Sequence, residues 1–356
     1  MGDILHALPA VTALRLAHPD WRIDWVVDPR WRALLSGNDA EDGTGNGKPR
    51  TRKADAELAP SARNPGQPLV DEVHFAPAKQ WACRPLAPKT FKEIRQLRRA
   101  LRAGGYDAAL DFQGAVRSAA IARMAKTGRV IGEAEPREPI ARWLFNERVK
   151  TRGRHVIEQD LELASAVAGD ALEPAEPLLP IDSEAELWCT RLLLERGAPA
   201  VLINPGAGWG AKRWPAERYG AVAQGLVERG YDVLVNTGPG EEPLAQVIVQ
   251  GTKGVARLLM PSVGHLIALT RRVVLCIAGD SGPLHLACAL GRPVVGIYGP
   301  TDPARNGPFG TRSRVLRSPD SRRDHSRKPE PEAGLLTIHP DDVLRAAEEL
   351  LAGGGE

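Results

Sequence analysis

The chain carries the stretch Ala278-Gly279-Asp280-Ser281-Gly282-Pro283-Leu284-His285 directly after an apolar run, Val273 to Ile277. The run predicts a buried strand and the proline marks the first turn of a helix, with a small polar loop between them. This layout points the backbone N–H groups of Ser281 and Gly282 and the positive helix end at one place, which suits a phosphate. The alternative is an ordinary turn in which Asp280 only caps the helix.

Two other units extend this pattern. Val201 to Gly208 leads to Lys212, and Val294 to Tyr298 runs into Gly299 to Pro303. Loops that follow parallel strands collect at one edge of the sheet, where doubly wound folds bind ligands. The three loops together therefore predict a nucleotide-diphosphate site.

The alternation of predicted strands and helices is broken by a stretch rich in Glu, Pro and Ala near residues 170–180. Because 356 residues exceed what one hydrophobic core usually organises, we predict an α/β fold with two Rossmann-like domains. These are residues 1–175 and 176–335, followed by a C-terminal helix in 336–356 that packs back toward the N-terminal domain. Residues 37–68 have almost no large apolar side chain and predict a disordered insertion.

The chain opens with a helical pattern rather than a strand. Met1 to Pro9 leads at once into apolar positions at Leu8, Val11 and Leu14, as a loop and helix do after the first strand of an α/β domain. We expect either that translation starts upstream of Met1 or that the N-terminal domain lacks a central element and is less stable.

Composition excludes several classes of protein. No apolar run approaches the roughly 20 residues that span a bilayer, and the N-terminus does not resemble a signal peptide, so we predict a cytoplasmic protein. The four cysteines lack the CxxC spacing of zinc sites and do not indicate a disulfide framework. A net charge of +3 gives no argument for nucleic acid as a partner.

Six blocks occur in a characteristic order: Met1 to Ala10, Asp24 to Val27, Asp111 to Gly114, Arg137 to Pro139, Asp280 to Leu286 and Tyr298 to Pro303. Together they resemble the bacterial lipopolysaccharide heptosyltransferases of glycosyltransferase family 9, and the first block is most similar to heptosyltransferase I. The resemblance covers nearly the whole chain apart from residues 37–68 and a polar loop near 318–332.

The resemblance implies a GT-B architecture, in which the N-terminal domain binds the acceptor and the C-terminal domain binds the nucleotide sugar. It implies inverting transfer of L-glycero-D-manno-heptose from ADP-heptose to a Kdo sugar of the lipid A inner core. It also implies no cofactor and no obligatory metal, and a place on the inner face of the inner membrane. The sequence agrees in showing no clustered DxD-like carboxylates.

By resemblance, Asp3 matches the catalytic aspartate that takes the proton of the acceptor hydroxyl. A helix N-cap is the alternative reading of this residue. Arg137 is an acceptor-binding candidate by resemblance only.

The donor candidates follow the strands of the second domain. Lys212, with the Ser281 and Gly282 amides, would stabilise the charge on the departing β-phosphate. Asp280 resembles the family residue that holds sugar hydroxyls, and His285 could either face the phosphates or be structural. The ribose-binding carboxylate is either Glu241 or Glu242. Each of these two could instead be a first-turn glutamate favoured by the helix dipole.

The predicted helix from Thr90 to Ala103 places Lys92, Arg95 and Arg99 on one face. A basic stripe suits Kdo carboxylates, lipid A phosphates and the anionic inner membrane. A solvated helix face explains the same pattern.

Two other functions remain open on the sequence. One is a different family 9 activity, either heptosyltransferase II or transfer of another sugar. The other is a truncated nucleotide-sugar-binding protein without turnover, in which Asp3 is not presented.

Overall fold

The computed structural model describes residues 1–37, 68–324 and 328–353. Residues 38–67, most of the predicted insertion, lie outside the described residues. The described chain forms two α/β domains and passes between them through residues 170–182, which contain no helix or strand. The predicted boundary at residue 175 falls in this segment.

The elements of the N-terminal domain alternate as the sequence pattern indicates. In chain order they are α1 (Gly2–Ala17), β1 (Asp24–Val27), β2 (Glu72–Phe75), α2 (Ala78–Cys83), α3 (Pro88–Ala103), β3 (Ala108–Asp111), α4 (Val116–Met124), β4 (Arg129–Glu133), β5 (Glu147–Val149) and α5 (Val156–Ala168), with 3-10 helices at Pro29–Leu34 and Pro139–Leu144.

The C-terminal domain continues the alternation. Its elements are α6 (Ser183–Leu194), β6 (Ala200–Asn204), α7 (Ala216–Glu228), β7 (Asp232–Asn236), α8 (Glu242–Gly251), β8 (Arg257–Leu259), α9 (Val263–Thr270), β9 (Leu275–Gly279), α10 (Gly282–Ala289), β10 (Val294–Tyr298), α11 (Pro303–Asn306), β11 (Ser313–Arg317) and α12 (Pro340–Ala352), with 3-10 helices at Gly210–Lys212 and Ala333–Thr337.

The C-terminal sheet is parallel, with strand order β11-β10-β9-β6-β7-β8. Its four central strands are buried along their whole length. Helices cover both faces of such a sheet, so its strands are apolar at successive positions rather than alternating. This explains why runs such as Val294 to Tyr298 could be recognised in the sequence.

The sheet of the N-terminal domain is divided. β1 pairs with β2 in one parallel sheet, while β3, β4 and β5 form another. Among the described residues no strand joins β1 to β3. The helix α1 begins at Gly2.

The helix α1 lies between the two domains. It is buried continuously from Leu5 to Arg15, as expected of a helix that is apolar on every side. It packs against α5 in its own domain and against α10 in the other. Leu5 and Leu8 share a hydrophobic core with Leu284 and Leu286, so the two domains are joined by apolar packing.

The last helix packs within the C-terminal domain. Val343, Ala346, Ala347 and Leu350 of α12 belong to the core formed with α7 and the sheet. This differs from the packing toward the N-terminal domain predicted above. The side chains that face inward on α12 are small or aliphatic, and they fit the open face of the C-terminal sheet.

Candidate active site

Side-chain amides join the carboxyl ends of neighbouring strands in the C-terminal sheet. Asn236 ends β7 and donates to Asn204 Oδ1 (2.5 Å), while Asn204 ends β6 and donates to Ser281 Oγ (3.3 Å). Both asparagines are buried. The predicted loops are thus brought together at the edge where open α/β sheets bind ligands. The sequence analysis missed both asparagines, although a polar residue ending an apolar run is a signal that could have found them.

Asp280 is held between two basic groups. Its Oδ2 lies 2.5 Å from Lys212 Nζ, and its Oδ1 lies 3.2 Å from His285 Nε2. Burial favours the neutral acid, but the hydrogen bond from His285 and the charge of Lys212 outweigh it and hold the pKa of Asp280 well below its usual range. The structure therefore pairs Lys212 with Asp280, and the Lys212 ammonium also lies 4.1 Å from the centre of the Trp209 ring.

The amino end of α10 faces the start of the chain. Ser281 is the N-cap of this helix and Gly282 is its first residue, so Asp280 does not cap it. A Cβ added to Gly282 would lie 2.6 Å from Met1 Sδ. The glycine therefore allows Met1, the residue that precedes α1, to approach the amino end of α10.

The two candidate glutamates have different surroundings. Glu241 Oε2 accepts a hydrogen bond from the Gly238 N–H (3.0 Å), and a Cβ added to Gly206 would lie within 2.2 Å of the same oxygen. Glu242 begins α8 instead. The structure thus places the Glu241 carboxylate between the loops that follow β6 and β7.

On the N-terminal side, Asp3 is brought together with two residues from other blocks. Its Oδ2 accepts a hydrogen bond from Gln113 Nε2 (2.7 Å) and lies 3.9 Å from Arg137 Nη1. Asp3 is in the first turn of α1, whose N-cap is Met1, so it is not the N-cap residue. Its side chain is 58% exposed. The carboxylate is accessible to a substrate and already has an amide and a guanidinium beside it.

A second acid lies behind Asp3 and was missed by the sequence analysis. Asp160 on α5 is buried. Burial, with the negative charges of Asp3 and Glu133, raises the pKa of Asp160 well above its usual range. The surroundings of Asp160 therefore favour its neutral form.

Three histidines meet where α1 contacts the C-terminal domain. The His6 ring lies 4.3 Å from that of His285 and 6.1 Å from that of His155, centre to centre. His155 Nε2 lies 3.1 Å from the Gly307 carbonyl oxygen. Burial lowers the pKa of His6 well below its usual value, so its ring is neutral, and its buried Nε2 has no hydrogen-bond partner among the described residues. The sequence analysis missed both His6, because α1 has no polar face, and His155, which is the N-cap of α5.

The basic stripe on α3 lies apart from these groups. Lys92, Arg95 and Arg99 are exposed, whereas Leu97 and Leu101 face the core. No hydrogen bond or ion pair within the described ranges joins the stripe to the Asp3 side chain. The described part of the chain also contains no helix long and apolar enough to cross a bilayer.

One group of side chains has the spacing of a metal site. The ligand atoms of Asp24, Glu72 and His74 lie within 4.8 Å of one another. However, Asp24 Oδ2 is already engaged by Arg22 Nη2 (2.8 Å) and the Tyr106 hydroxyl (2.5 Å). A cation there would compete with a bound guanidinium, so the group fits an ion-pair network better than a metal site.

The chain has two facing α/β domains, with the Asp3 carboxylate on one side and the amino end of α10, which suits a phosphate, on the other. This arrangement defines a nucleotide-sugar glycosyltransferase of the GT-B type. The model of glycosyltransferase family 9 (heptosyltransferase) matches residues 94–335. The chain belongs to this family, and it is a glycosyltransferase.

Relatives and solved structures agree with this assignment. Lipopolysaccharide heptosyltransferase 1 of Escherichia coli K12 is 28% identical over 323 residues, which cover 90% of this chain and 91% of the relative. The corresponding Pseudomonas aeruginosa protein is 26% identical over 88% of this chain and 80% of its own. The structure of E. coli heptosyltransferase WaaC with ADP has a TM-score of 0.75 and 25% identity, covering 98% of this chain and 96% of that one.

Proposed function

We propose that this enzyme transfers L-glycero-D-manno-heptose, with inversion, from ADP-heptose to Kdo of the lipid A inner core during lipopolysaccharide synthesis. The observation that carries the proposal is the meeting of Asp3, Gln113 and Arg137 on the side of α1 that approaches the amino end of α10. A similar solved structure, E. coli WaaC, is described with ADP and with ADP-2-deoxy-2-fluoro heptose.

Asp3 is the proposed base. Its carboxylate takes the proton of the acceptor hydroxyl as that oxygen forms a bond to the anomeric carbon. The bond from the anomeric carbon to the β-phosphate oxygen breaks on the opposite face, and ADP leaves with the bonding pair. Gln113 holds the carboxylate in place, and Arg137 is suited to bind the carboxylate of Kdo.

The donor groups stabilise the charge that ADP gains. The Ser281 and Gly282 amides and the α10 dipole face the diphosphate, and Lys212 supplies a cation. Because Lys212 is paired with Asp280 before the donor binds, we infer that the diphosphate takes over the lysine while Asp280 turns to the sugar hydroxyls. Glu241, between the β6 and β7 loops, is the proposed ribose ligand. These groups need no cofactor and no obligatory metal.

A peripheral contact with the anionic inner face of the inner membrane would bring the enzyme to a lipid acceptor. Ile140 and Trp143 are 68% and 70% exposed on the 3-10 helix that begins two residues after Arg137. The guanidinium groups of Arg142 and Arg148 lie 5.1 and 5.3 Å from the Trp143 ring centre. An exposed ring flanked by cations suits a lipid interface. The α3 stripe would add further cations.

The reaction is tested with ADP-heptose and heptose-deficient Kdo-lipid A, with the product read by mass spectrometry in the presence of EDTA. The parent should add one heptose, and Asp3→Asn should lose about 10²–10⁴-fold in kcat while it still binds ADP-heptose. Asp170→Asn, a substitution of an exposed acid, is the matched control. A parent that uses only an already heptosylated acceptor would instead support the heptosyltransferase II activity.

The membrane contact is tested by sedimentation with phosphatidylglycerol vesicles. Trp143→Ala should weaken binding several-fold, since the ring supplies both apolar area and cation contacts. Leu194→Ala, which removes an exposed apolar side chain from the other domain, should not. Equal binding to neutral phosphatidylcholine vesicles would contradict the proposed role of the arginines.

A further inference from the structure

A short polar segment, residues 328–332, lies across the loop that carries Lys212. The Lys328 carbonyl oxygen accepts a hydrogen bond from the Ala211 N–H (3.0 Å), and the Glu332 N–H donates to the Ala211 carbonyl oxygen (3.2 Å). Residues 328–332, termed the strap below, therefore engage both backbone groups of the residue before Lys212. The strap belongs to the polar loop that the sequence blocks of the family do not cover.

Gly210 lets the strap come this close. It is the buried first residue of the 3-10 helix Gly210–Lys212, and its φ lies outside the left-handed region, so its conformation does not require glycine. Space does, because an added Cβ would lie 1.6 Å from the Pro329 carbonyl oxygen. A close carbon–oxygen contact is about 3.3–3.6 Å, so a methyl group would separate the two segments by roughly 1.5 Å or more.

The other side of this 3-10 helix rests on the end of β9. A Cβ added to Gly279 would lie 3.3 Å from the Lys212 carbonyl oxygen, so the Lys212 backbone lies between β9 and the strap. From there its Nζ reaches Asp280 Oδ2 at 2.5 Å. The lysine side chain is a flexible four-carbon stem, so its ammonium is well placed only when the backbone beneath it is fixed.

The strap is itself tied to the domain. Glu332 Oε2 accepts a hydrogen bond from Ser321 Oγ (2.9 Å), and the Asp324 N–H donates to the Pro300 carbonyl oxygen (3.1 Å). Pro300 follows β10 and Ala211 follows β6, and these strands lie on either side of β9. The polar loop therefore contacts the loops that flank the Asp280 loop, and it can hold the Lys212 loop against a fixed frame.

We propose that Gly210 is a positioning residue for Lys212. By admitting the strap, it lets both backbone groups of Ala211 be held, and this sets the Lys212 ammonium first at Asp280 and then at the diphosphate of the donor. The second of these placements rests on the proposed donor role of Lys212, whereas the first does not.

Two substitutions disturb the strap in different ways. Gly210→Ala sets a methyl group against Pro329. Glu332→Pro removes the N–H that donates to Ala211, at a φ of −65° that proline adopts. The matched controls are Glu332→Ala, which removes the same side chain but keeps the N–H, and Gly128→Ala, which adds a methyl group where no atom lies within 4 Å.

The first measurement is the free energy of unfolding in urea, with each variant alone and combined with Lys212→Met. If the strap sets Lys212 at Asp280, Lys212→Met should cost about half as much or less in the Gly210→Ala and Glu332→Pro backgrounds as in the parent. It should keep its full cost in the two control backgrounds. Equal costs in all backgrounds would overturn the proposal, because the strap would then contribute to stability independently of the lysine.

The second measurement is calorimetric titration with ADP. Gly210→Ala and Glu332→Pro should each weaken ADP binding about fivefold or more, but by less than about twofold when Lys212 is already methionine. Unchanged ADP binding in these two variants, with weaker binding by Lys212→Met, would overturn the inference. Unchanged binding by Lys212→Met, with the coupling in unfolding intact, would reject the donor role of Lys212 while supporting its placement by the strap.

Discussion

Replacing Lys212 with methionine removes a buried positive charge and leaves the Asp280 carboxylate in place. The two side chains are 12% and 7% exposed, with 2.5 Å between Lys212 Nζ and Asp280 Oδ2. Loss of one partner of a buried pair typically costs about 3–5 kcal/mol. Because Asp280 keeps its hydrogen bond to His285, we expect the lower end, about 3 kcal/mol of unfolding free energy.

The same substitution should change the acid limb of the stability curve. In the parent the folded pKa of Asp280 is depressed, so its contribution is fully present above the unfolded pKa of about 3.9 and is lost as the pH falls toward the folded value. Without Lys212 the depression is smaller, and the loss of stability between pH 4 and lower pH should flatten.

The assay is urea unfolding at pH 7 and through the acid range. Lys92→Met, at an exposed position, should stay within about 0.5 kcal/mol of the parent. The double variant with Lys212→Met and Asp280→Asn should recover most of the loss, because no unpaired charge remains buried. The inferred coupling between Lys212 and Asp280 would be refuted if Lys212→Met kept an unfolding free energy within about 1 kcal/mol of the parent and an unchanged dependence on acid pH.

Two further predictions concern residues that the structure distinguishes. Glu241→Gln should raise the KM for ADP-heptose about tenfold, because it weakens a hydrogen bond to ribose by about 1.4 kcal/mol, whereas Glu242→Gln should change it little; equal effects in a steady-state donor titration would contradict the choice of Glu241. His6 has a folded pKa well below its unfolded value of about 6.5, so its contribution to stability is present above that pH and falls by up to about 1.4 kcal/mol per pH unit below it. His6→Phe should flatten this dependence between pH 6.5 and 5 in urea unfolding, and an unchanged slope would assign the dependence to other groups.

The C-terminal domain could be predicted closely because its strands are buried on both faces. Strands such as Val294 to Tyr298 can be recognised as continuous apolar runs, without an alternation of apolar and polar residues. Pro283 predicted the start of α10 to within one residue of its first residue, Gly282. The helical pattern at the start of the chain likewise predicted α1, which begins at Gly2. These features depend on local sequence, which is why they could be recognised without a structure.

The rest depends on contacts between distant residues. Lys212 and Asp280 were both expected at the carboxyl edge of the sheet, but their pairing is a property of two loops folded together. His6 could not be recognised as a site residue from the sequence, because it lies on a helix that is apolar on every side. The burial of Asp160 depends on the packing of α1 over α5. The place of α12 is decided by the open face of the C-terminal sheet.

The apolar packing of α1 on α10 also has a consequence for how the chain unfolds. Leu5 and Leu8 belong to the same core as Leu284 and Leu286, so neither domain can lose its packing without exposing apolar area of the other. The two domains should therefore melt together in one cooperative transition. Separated from α1, the C-terminal half would present that surface to water and tend to self-associate.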